Sequence, residues 1–125
     1  MEFRLCSVEK ISMKFYILIV FTLIMSSGQM LFKKASLDID WDQGIYGLIN
    51  PWLITAIILY GAATLLWVWI LRSVPLSFAY SFSALAFVIV PIAASFLFKE
   101  NIGWQNIVGT IFIVMGISII SLKEI

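Results

Sequence analysis

Four long apolar stretches, separated by short polar connections, dominate the pattern of the sequence. Crossing the hydrocarbon core of a bilayer takes about 20 apolar residues in a helix, and the four stretches have that length. The predicted helices cover residues 13–32, 51–71, 75–98 and 104–122. Strands do not fit, because an open sheet in lipid leaves backbone groups unpaired and four spans cannot close a barrel. The pattern therefore predicts an all-α membrane protein, with residues 13–125 as one domain and residues 1–12 as a short N-terminal extension.

The connections between the predicted helices constrain how those helices pack. Residues 33–50 form the longest connection, which carries Asp38, Asp40 and Asp42, and the others cover residues 72–74 and 99–103. Short links make neighbouring helices run antiparallel and pack side by side. Because the connections are too small to fold separately, we expect the function to reside inside the membrane.

The composition excludes several classes of function. Hydrophobic residues make up 62% of the chain and charged residues 12%, whereas a soluble domain carries about 25% charged residues. A net charge of +1 provides no field that would recruit nucleic acid. One cysteine, Cys6, and no histidine exclude an internal disulfide and a Cys/His zinc cluster. No predicted span contains an acidic residue, so we expect neither an enzyme nor a bound metal or cofactor.

The distribution of Lys and Arg near the helix ends predicts the orientation of the chain. One side of the membrane receives five of these residues: Arg4, Lys10, Lys14, Arg72 and Lys123. The opposite side receives three: Lys33, Lys34 and Lys99. This bias favours both termini in the cytoplasm. Met13 is an alternative start, and a chain beginning there would lose Arg4, Lys10 and the bias.

Polar residues at the end of the first predicted helix are suited to bind a ligand. Gln29 and Lys33 are four residues apart and therefore share one helix face. Lys33 lies where an ammonium group reaches the depth of the lipid head groups, and it suits a phosphate there. An interfacial anchor is the alternative role for Lys33 and for Lys34.

Further candidates lie along the other predicted helices. The hydroxyl groups of Tyr60, Tyr80 and Ser83 lie within apolar spans and need partners in the bundle or on a ligand. Arg72 marks a helix boundary. Glu100 follows Lys99, and it either caps the last helix, pairs with Lys99 or meets a substrate amine.

Three residues predict features of helix packing. Gly109 and Gly116 are seven residues apart and fall on one face of the last helix. That face is either a packing groove within one protomer or a dimer interface. Pro91 removes a backbone donor in mid-span, which predicts a kink or hinge.

Several short motifs together resemble the drug/metabolite transporter superfamily in its four-helix form. The motifs are Gly28-Gln29 with Lys33 and Ala35, Trp67 with Val74-Pro75, Ala79-Tyr80, Ala84–Val88, Glu100 and the spacing of Gly109 and Gly116. Three of them, the Gly28-Gln29 motif, Ala84–Val88 and Glu100, are closest to the EamA-like small subunits of the flippase for aminoarabinose-phosphoundecaprenol. The motifs at Trp67 to Pro75 and at Ala79-Tyr80 resemble both this branch and the small multidrug resistance family. The glycine spacing resembles the fourth helix of the small multidrug resistance family.

Two departures separate these branches. Small multidrug transporters carry a Glu at the position of Met25, three residues before the glycine that matches Gly28. The glycine kink of their third helix is replaced here by Leu85 and Phe87. Without the acid there is no evident charge for proton-coupled export of cationic drugs, so the resemblance favours the flippase branch.

The resemblance implies a flippase subunit that moves a polyprenyl-phosphate-linked sugar across the bacterial inner membrane. Two protomers, as a homodimer or as a heterodimer with a paralogous four-helix subunit, would form an eight-helix bundle surrounded by membrane lipids. The substrate-binding candidates divide into a phosphate set, Lys33 with Lys34 or Arg72, and a sugar set, Gln29, Tyr80, Ser83 and Glu100. Tyr60 is a further candidate without an assigned group. The alternatives are a small multidrug-type exporter of cationic or small metabolites and a non-transporting accessory subunit of a glycosyltransferase system.

Overall fold

The structure, a computed structural model, describes the backbone of residues 2–124 and the side chains of residue 10 and residues 12–122. The predictions that involve Met1, Arg4, Cys6 and Lys123 therefore fall on side chains outside this description. The described secondary structure is entirely helical. It consists of α1 (Glu2–Asp38), a 3₁₀ helix (Trp41–Leu48), α2 (Pro51–Leu71), α3 (Leu76–Ser83), α4 (Ala86–Phe98) and α5 (Trp104–Glu124).

Four segments of the described chain are long and apolar enough to cross a membrane. They are Ser12–Asp38, Pro51–Leu71, Leu76–Phe98 and Trp104–Leu122. The predicted all-α architecture with four transmembrane helices is thus confirmed. Local residues explain why α2 begins at Pro51. The side-chain oxygen of Asn50 caps the helix by accepting a hydrogen bond from the N–H of Trp52 at 2.8 Å. Pro51 in the first turn has no N–H that would need a partner.

The first helix is longer than the predicted residues 13–32. Its backbone is helical from Glu2, within the predicted extension, and it ends at Asp38. The additional C-terminal turn is stabilised by packing, because Ala35 is fully buried and its carbonyl accepts the side-chain amide of Asn50 at 3.5 Å. Lys34 also pairs with Asp38 at 3.9 Å, four residues along the helix. The predicted loop over residues 33–50 is correspondingly shorter.

The third predicted helix, residues 75–98, is divided into α3 and α4. At the break, the N–H groups of Ala84 and Leu85 donate to carbonyls three residues back, at 3.2 and 3.0 Å, so a 3₁₀ turn interrupts the α-helix. The buried hydroxyl of Thr22 on α1 lies 3.4 Å from the carbonyl oxygen of Phe82, which ties this turn to α1. Pro91 lies inside α4, beyond the break, and its role as a hinge stays a prediction.

The apolar core lies at the end of the bundle that contains the α2–α3 connection, here called the Arg72 end. Its buried residues are Leu18, Phe21, Ala63, Ile70, Val74, Phe78, Ala79 and Phe82. The ring of Phe15 packs edge-on against the rings of Phe78 and Phe82, with centroids 5.5 and 5.2 Å apart. The opposite end, here called the Lys33 end, contains the C-terminus of α1 and the α4–α5 connection.

The last helix, α5, is the least buried of the four spans. It contacts α3 and α4. Only 6% of its most apolar stretch is buried, compared with 28% of the corresponding stretch of α1. A Cβ atom built on Gly109 or Gly116 would have nothing within 4 Å. Neither glycine therefore serves a close approach of another helix of this chain.

Candidate functional site

A cavity of about 490 Å³ opens among α1, α2, α3 and α4. Most of its wall is apolar: Phe21, Met25, Ala63, Trp67, Ala84, Ala86 and Phe87. Five side chains add hydrogen-bonding groups: Thr22, Gln29, Thr64, Tyr80 and Ser83. An apolar wall with a few convergent polar groups is the usual character of a small-molecule site, and this cavity is the candidate substrate site.

The break between α3 and α4 forms part of the cavity wall. Ser83, Ala84 and Ala86 line the cavity at this point, and the 3₁₀ turn removes the carbonyl of Tyr80 from its usual pairing with the N–H of Ala84. Irregular backbone at membrane depth is tolerated where it is buried in protein or lines a cavity that admits water. The break therefore supplies small side chains to the cavity wall.

Gln29 links the cavity to α2. Its side-chain amide donates a hydrogen bond to the hydroxyl of Tyr60, and the Tyr60 ring packs edge-on against Phe32 at 5.0 Å. Gly28 makes this contact possible, since a Cβ there would lie 2.8 Å from Cδ2 of the Tyr60 ring and closer still to Cε2. Gly28 thus provides the space for the Tyr60 ring, and Gln29 donates the hydrogen bond that the Tyr60 hydroxyl accepts.

Lys33 lies one helical turn beyond Gln29 and pairs with Glu100. The distance from Lys33 Nζ to Glu100 Oε1 is 3.0 Å, and both side chains are about half exposed. Glu100 follows Lys99, which ends α4 in the left-handed conformation with φ 55° and ψ 34°. This sharp C-terminal turn sets the direction in which the chain leaves α4 toward the Glu100 position.

Two of the predicted substrate-binding residues lie away from this site. Lys34 pairs with Asp38, and its ammonium group lies 5.7 Å from the centre of the Trp52 ring, on another side of α1. Arg72 lies at the opposite end of α2, whose 21 residues span about 30 Å. The structure therefore does not bring Lys34 or Arg72 to Lys33, because Lys34 engages Asp38 and Trp52 and Arg72 lies at the other end of α2. Binding of one phosphate by Lys33 with either residue stays a prediction.

The structure brings together Gln29, Tyr80 and Ser83 at the cavity, with Tyr60 behind Gln29 and the Lys33–Glu100 pair beyond it. Thr22 and Thr64 also line the cavity wall, and neither was predicted from the sequence. Thr22 carried a usable signal, because it precedes Gln29 by seven residues and so lies on the same helix face. Met25, singled out as the position of a missing acid, also lines the cavity.

Comparison with known proteins shows which family this chain belongs to. The profile of the EamA-like transporter family matches residues 1–122. The chain belongs to the EamA-like transporter family. Together with its four apolar helices, this membership identifies a multi-pass bacterial membrane protein from a family of transporters, and it confirms the resemblance noted in the sequence.

Curated relatives of this EamA-like chain carry one common name, "Probable 4-amino-4-deoxy-L-arabinose-phosphoundecaprenol flippase subunit ArnE". The protein from Enterobacter sp. (strain 638) is 36% identical over 82% of this chain and 92% of its own length. The protein from Photorhabdus laumondii is 32% identical over 88% and 97% of the two chains. The Proteus mirabilis protein is 31% identical over 90% and 100%. No solved structure matches the chain.

Proposed function

We propose that the chain is a subunit of a flippase that moves a polyprenyl-phosphate-linked sugar across the bacterial inner membrane. The observation that carries this proposal is a cavity without charged side chains, lined by sugar-compatible hydrogen-bonding groups, next to a cation one turn away at Lys33. A glycosyl phosphate needs both features, because hydroxyl groups seek donors and acceptors while the phosphate seeks positive charge. The names of the relatives support the same function.

In this mechanism the sugar enters the cavity and the polyprenyl tail stays in lipid. Gln29, Tyr80 and Ser83 hydrogen-bond the sugar hydroxyls, and Lys33 binds the phosphate at the depth of the lipid head groups. Tyr60 holds the Gln29 amide in position through their hydrogen bond. Since only the head group must leave water, a cavity of this size is sufficient for the part of the substrate that crosses.

The distribution of positive charge supports an orientation with both termini in the cytoplasm. The Arg72 end then faces the cytoplasm and the Lys33 end faces the periplasm. A substrate that starts in the cytoplasmic leaflet would meet Arg72 before it meets Lys33. Arg72 is exposed, and we assign it to the first capture of the phosphate rather than to the site beside Lys33.

A second four-helix subunit, either a copy of this chain or a paralogue, completes the transporter as an eight-helix bundle. The support comes from α5, whose Gly109 and Gly116 leave open space on a face that no helix of this chain fills closely. Helices in membranes associate through small residues of this kind. One protomer also leaves the candidate cavity partly open to its surroundings, which a second subunit would reduce.

Export of a cationic drug is not favoured by the site. The position that carries an acid in small multidrug transporters is Met25, which lines the cavity. No carboxylate lies among the described residues of the cavity wall. A hydrophobic cation in this cavity would therefore have no counter-charge to replace its hydration.

The direct test uses the full chain with its partner subunit in proteoliposomes. Translocation is measured as the fraction of radiolabelled polyprenyl-phosphate-linked sugar that an impermeant oxidant, periodate, can reach. Lys33→Ala should slow translocation by about 10-fold to 100-fold, since a charge-assisted hydrogen bond contributes about 1.5–3 kcal/mol. Lys99→Ala, which removes an exposed lysine at the same end, should change the rate less than about twofold. Unchanged transport by Lys33→Ala would contradict the proposed role of Lys33.

A further inference from the structure

One ion pair joins α1 to the α4–α5 connection beside the cavity. Lys33 Nζ and Glu100 Oε1 are 3.0 Å apart, and the two side chains are 44% and 46% exposed. Both groups are therefore accessible to a ligand that arrives at the level of the lipid head groups. Lys33 shares a helix face with Gln29 of the cavity wall, so the pair lies next to the space assigned to the sugar.

We propose that the Lys33–Glu100 pair selects a zwitterionic head group, an inference that rests on the proposed function. Lys33 takes the phosphodiester of the substrate, and Glu100 takes an ammonium group on the sugar. The pair would open as the ligand enters, because each flexible side chain exchanges its protein partner for the opposite charge on the ligand. No covalent step is involved, and Glu100 acts as a specificity-determining residue.

Charge balance is the reason for this selection. An ion pair has no net charge, and neither has a head group with one phosphodiester and one ammonium group. A purely anionic head group can engage Lys33 only by breaking the existing ion pair, and it offers Glu100 no new partner in exchange. A head group that also carries a cation satisfies both residues and keeps the complex neutral as it moves into the bilayer.

The other charges at the Lys33 end do not offer the same arrangement. Asp38 is paired with Lys34 at 3.9 Å, and Lys34 also lies over the Trp52 ring, away from the cavity. Lys99 is exposed beside Glu100, but it has the sign that repels an ammonium group. Glu100 already contacts Lys33, so it is positioned to receive a cation from a ligand whose phosphate is on Lys33.

The relatives supply an independent reason to test an amine. Their common name describes a lipid that has a 4-amino sugar joined through phosphate to a polyprenol. At neutral pH such a lipid carries an ammonium group and a phosphodiester. It therefore has the two charges that the Lys33–Glu100 pair complements.

The experiment compares two lipids in proteoliposomes that contain the full chain and its partner subunit. One is a polyprenyl-phosphate-linked 4-amino sugar, and the other is the same lipid with an acetylated, uncharged nitrogen. The fraction accessible to periodate measures the translocation of each lipid. The wild-type protein should move the amino lipid about tenfold faster. Glu100→Gln should slow the amino lipid about tenfold and change the acetylated lipid less than twofold. Asp38→Asn, which neutralises a carboxylate at the same end, should affect neither lipid.

The outcomes separate selection from a structural latch. Exchange of the two charges, Lys33→Glu with Glu100→Lys, re-forms an ion pair at the same place. Recovery of wild-type transport of both lipids by this double variant would show a latch and overturn the proposal. Equal slowing of both lipids by Glu100→Gln, or no slowing of either, would also overturn it. If the wild-type protein moves neither lipid, the proposed flippase function itself fails.

Discussion

The two ends of the bundle are stabilised by different interactions. At the Arg72 end, apolar side chains such as Leu18, Ile70 and Phe78 are buried against one another. At the Lys33 end, buried contacts are smaller, such as the packing of Ala35. Half-exposed polar contacts, the Gln29–Tyr60 hydrogen bond and the Lys33–Glu100 ion pair, join the helices beside them. Packed apolar surfaces resist local opening, whereas half-exposed polar contacts exchange readily with water or ligand.

This difference assigns separate tasks to the two ends. The Arg72 end provides the stability that keeps α1, α2 and α3 together, and the Lys33 end provides groups that a substrate can engage. The cavity lies between the two ends of the bundle. Helix α1 contributes Phe21 to the apolar core and Gln29 to the cavity wall. Substitutions at the two ends should therefore separate stability from transport.

The largest expected effect on stability is at the Arg72 end. Phe78→Ala removes a buried ring that packs on Phe15 and Phe82, and it should lower the free energy of unfolding by about 3 kcal/mol. Phe96→Ala removes a ring that is 82% exposed, and it should have almost no effect. Unfolding by SDS titration of the protein in micelles measures both, and equal losses would contradict the separation of tasks.

A smaller effect is expected where Gly28 contacts Tyr60. Gly28→Ala adds a Cβ that overlaps the Tyr60 ring, so we expect a loss of about 1–2 kcal/mol of stability from overpacking. Because the displaced ring no longer meets the Gln29 amide, translocation should also fall. Gly61→Ala is the matched control, since a Cβ at Gly61 meets nothing within 4 Å. If both variants lost transport to the same extent, the role assigned to Gly28 would be wrong.

Removal of the Tyr60 hydroxyl isolates the hydrogen bond from the packing. Tyr60→Phe keeps the ring against Phe32 but leaves the Gln29 amide without its acceptor. Stability should fall by only about 0.6 kcal/mol, the average for interhelical hydrogen bonds in membranes, while translocation falls more clearly. Tyr16→Phe, on an exposed ring, serves as the control. A loss of stability without a loss of transport would assign the hydrogen bond to structure alone.

The smallest effect, and the one of opposite sign, is expected at the end of α4. Lys99 adopts a left-handed conformation with φ 55°, in which residues with a Cβ are strained. Lys99→Gly should raise the free energy of unfolding by about 0.5–1 kcal/mol, and Lys99→Ala should leave it nearly unchanged because alanine retains the Cβ. Destabilisation by glycine would show that the Lys99 side chain itself supports the turn.

Local sequence signals predicted the helices well where they act alone. Asn50-Pro51 begins α2, and the observed span of α2 is the predicted one. The break after Ser83 was missed because it depends on tertiary contact, including the approach of the Thr22 hydroxyl to the Phe82 carbonyl. Composition and periodicity contain no information about such a contact.

The candidate site shows the same limit. The i, i+4 spacing placed Gln29 and Lys33 on one face, and the chain topology placed Glu100 at the same end of the bundle. The partners themselves could not be predicted, since Tyr60 is 31 residues from Gln29 and Glu100 lies on another connection. The separation of Arg72 from this site follows from helix direction and was available from the sequence.

The most direct test of the account introduces the missing acid into the cavity. Met25→Glu would place a carboxylate on the wall where the sugar phosphate is proposed to pass, and Met25→Gln is the uncharged control of similar size. We expect Met25→Glu to slow translocation of the lipid-linked sugar by at least about tenfold, whereas Met25→Gln should retain most of the wild-type rate. Equal rates for Met25→Glu and wild-type protein in proteoliposomes would contradict the claim that the sugar phosphate passes this part of the cavity wall.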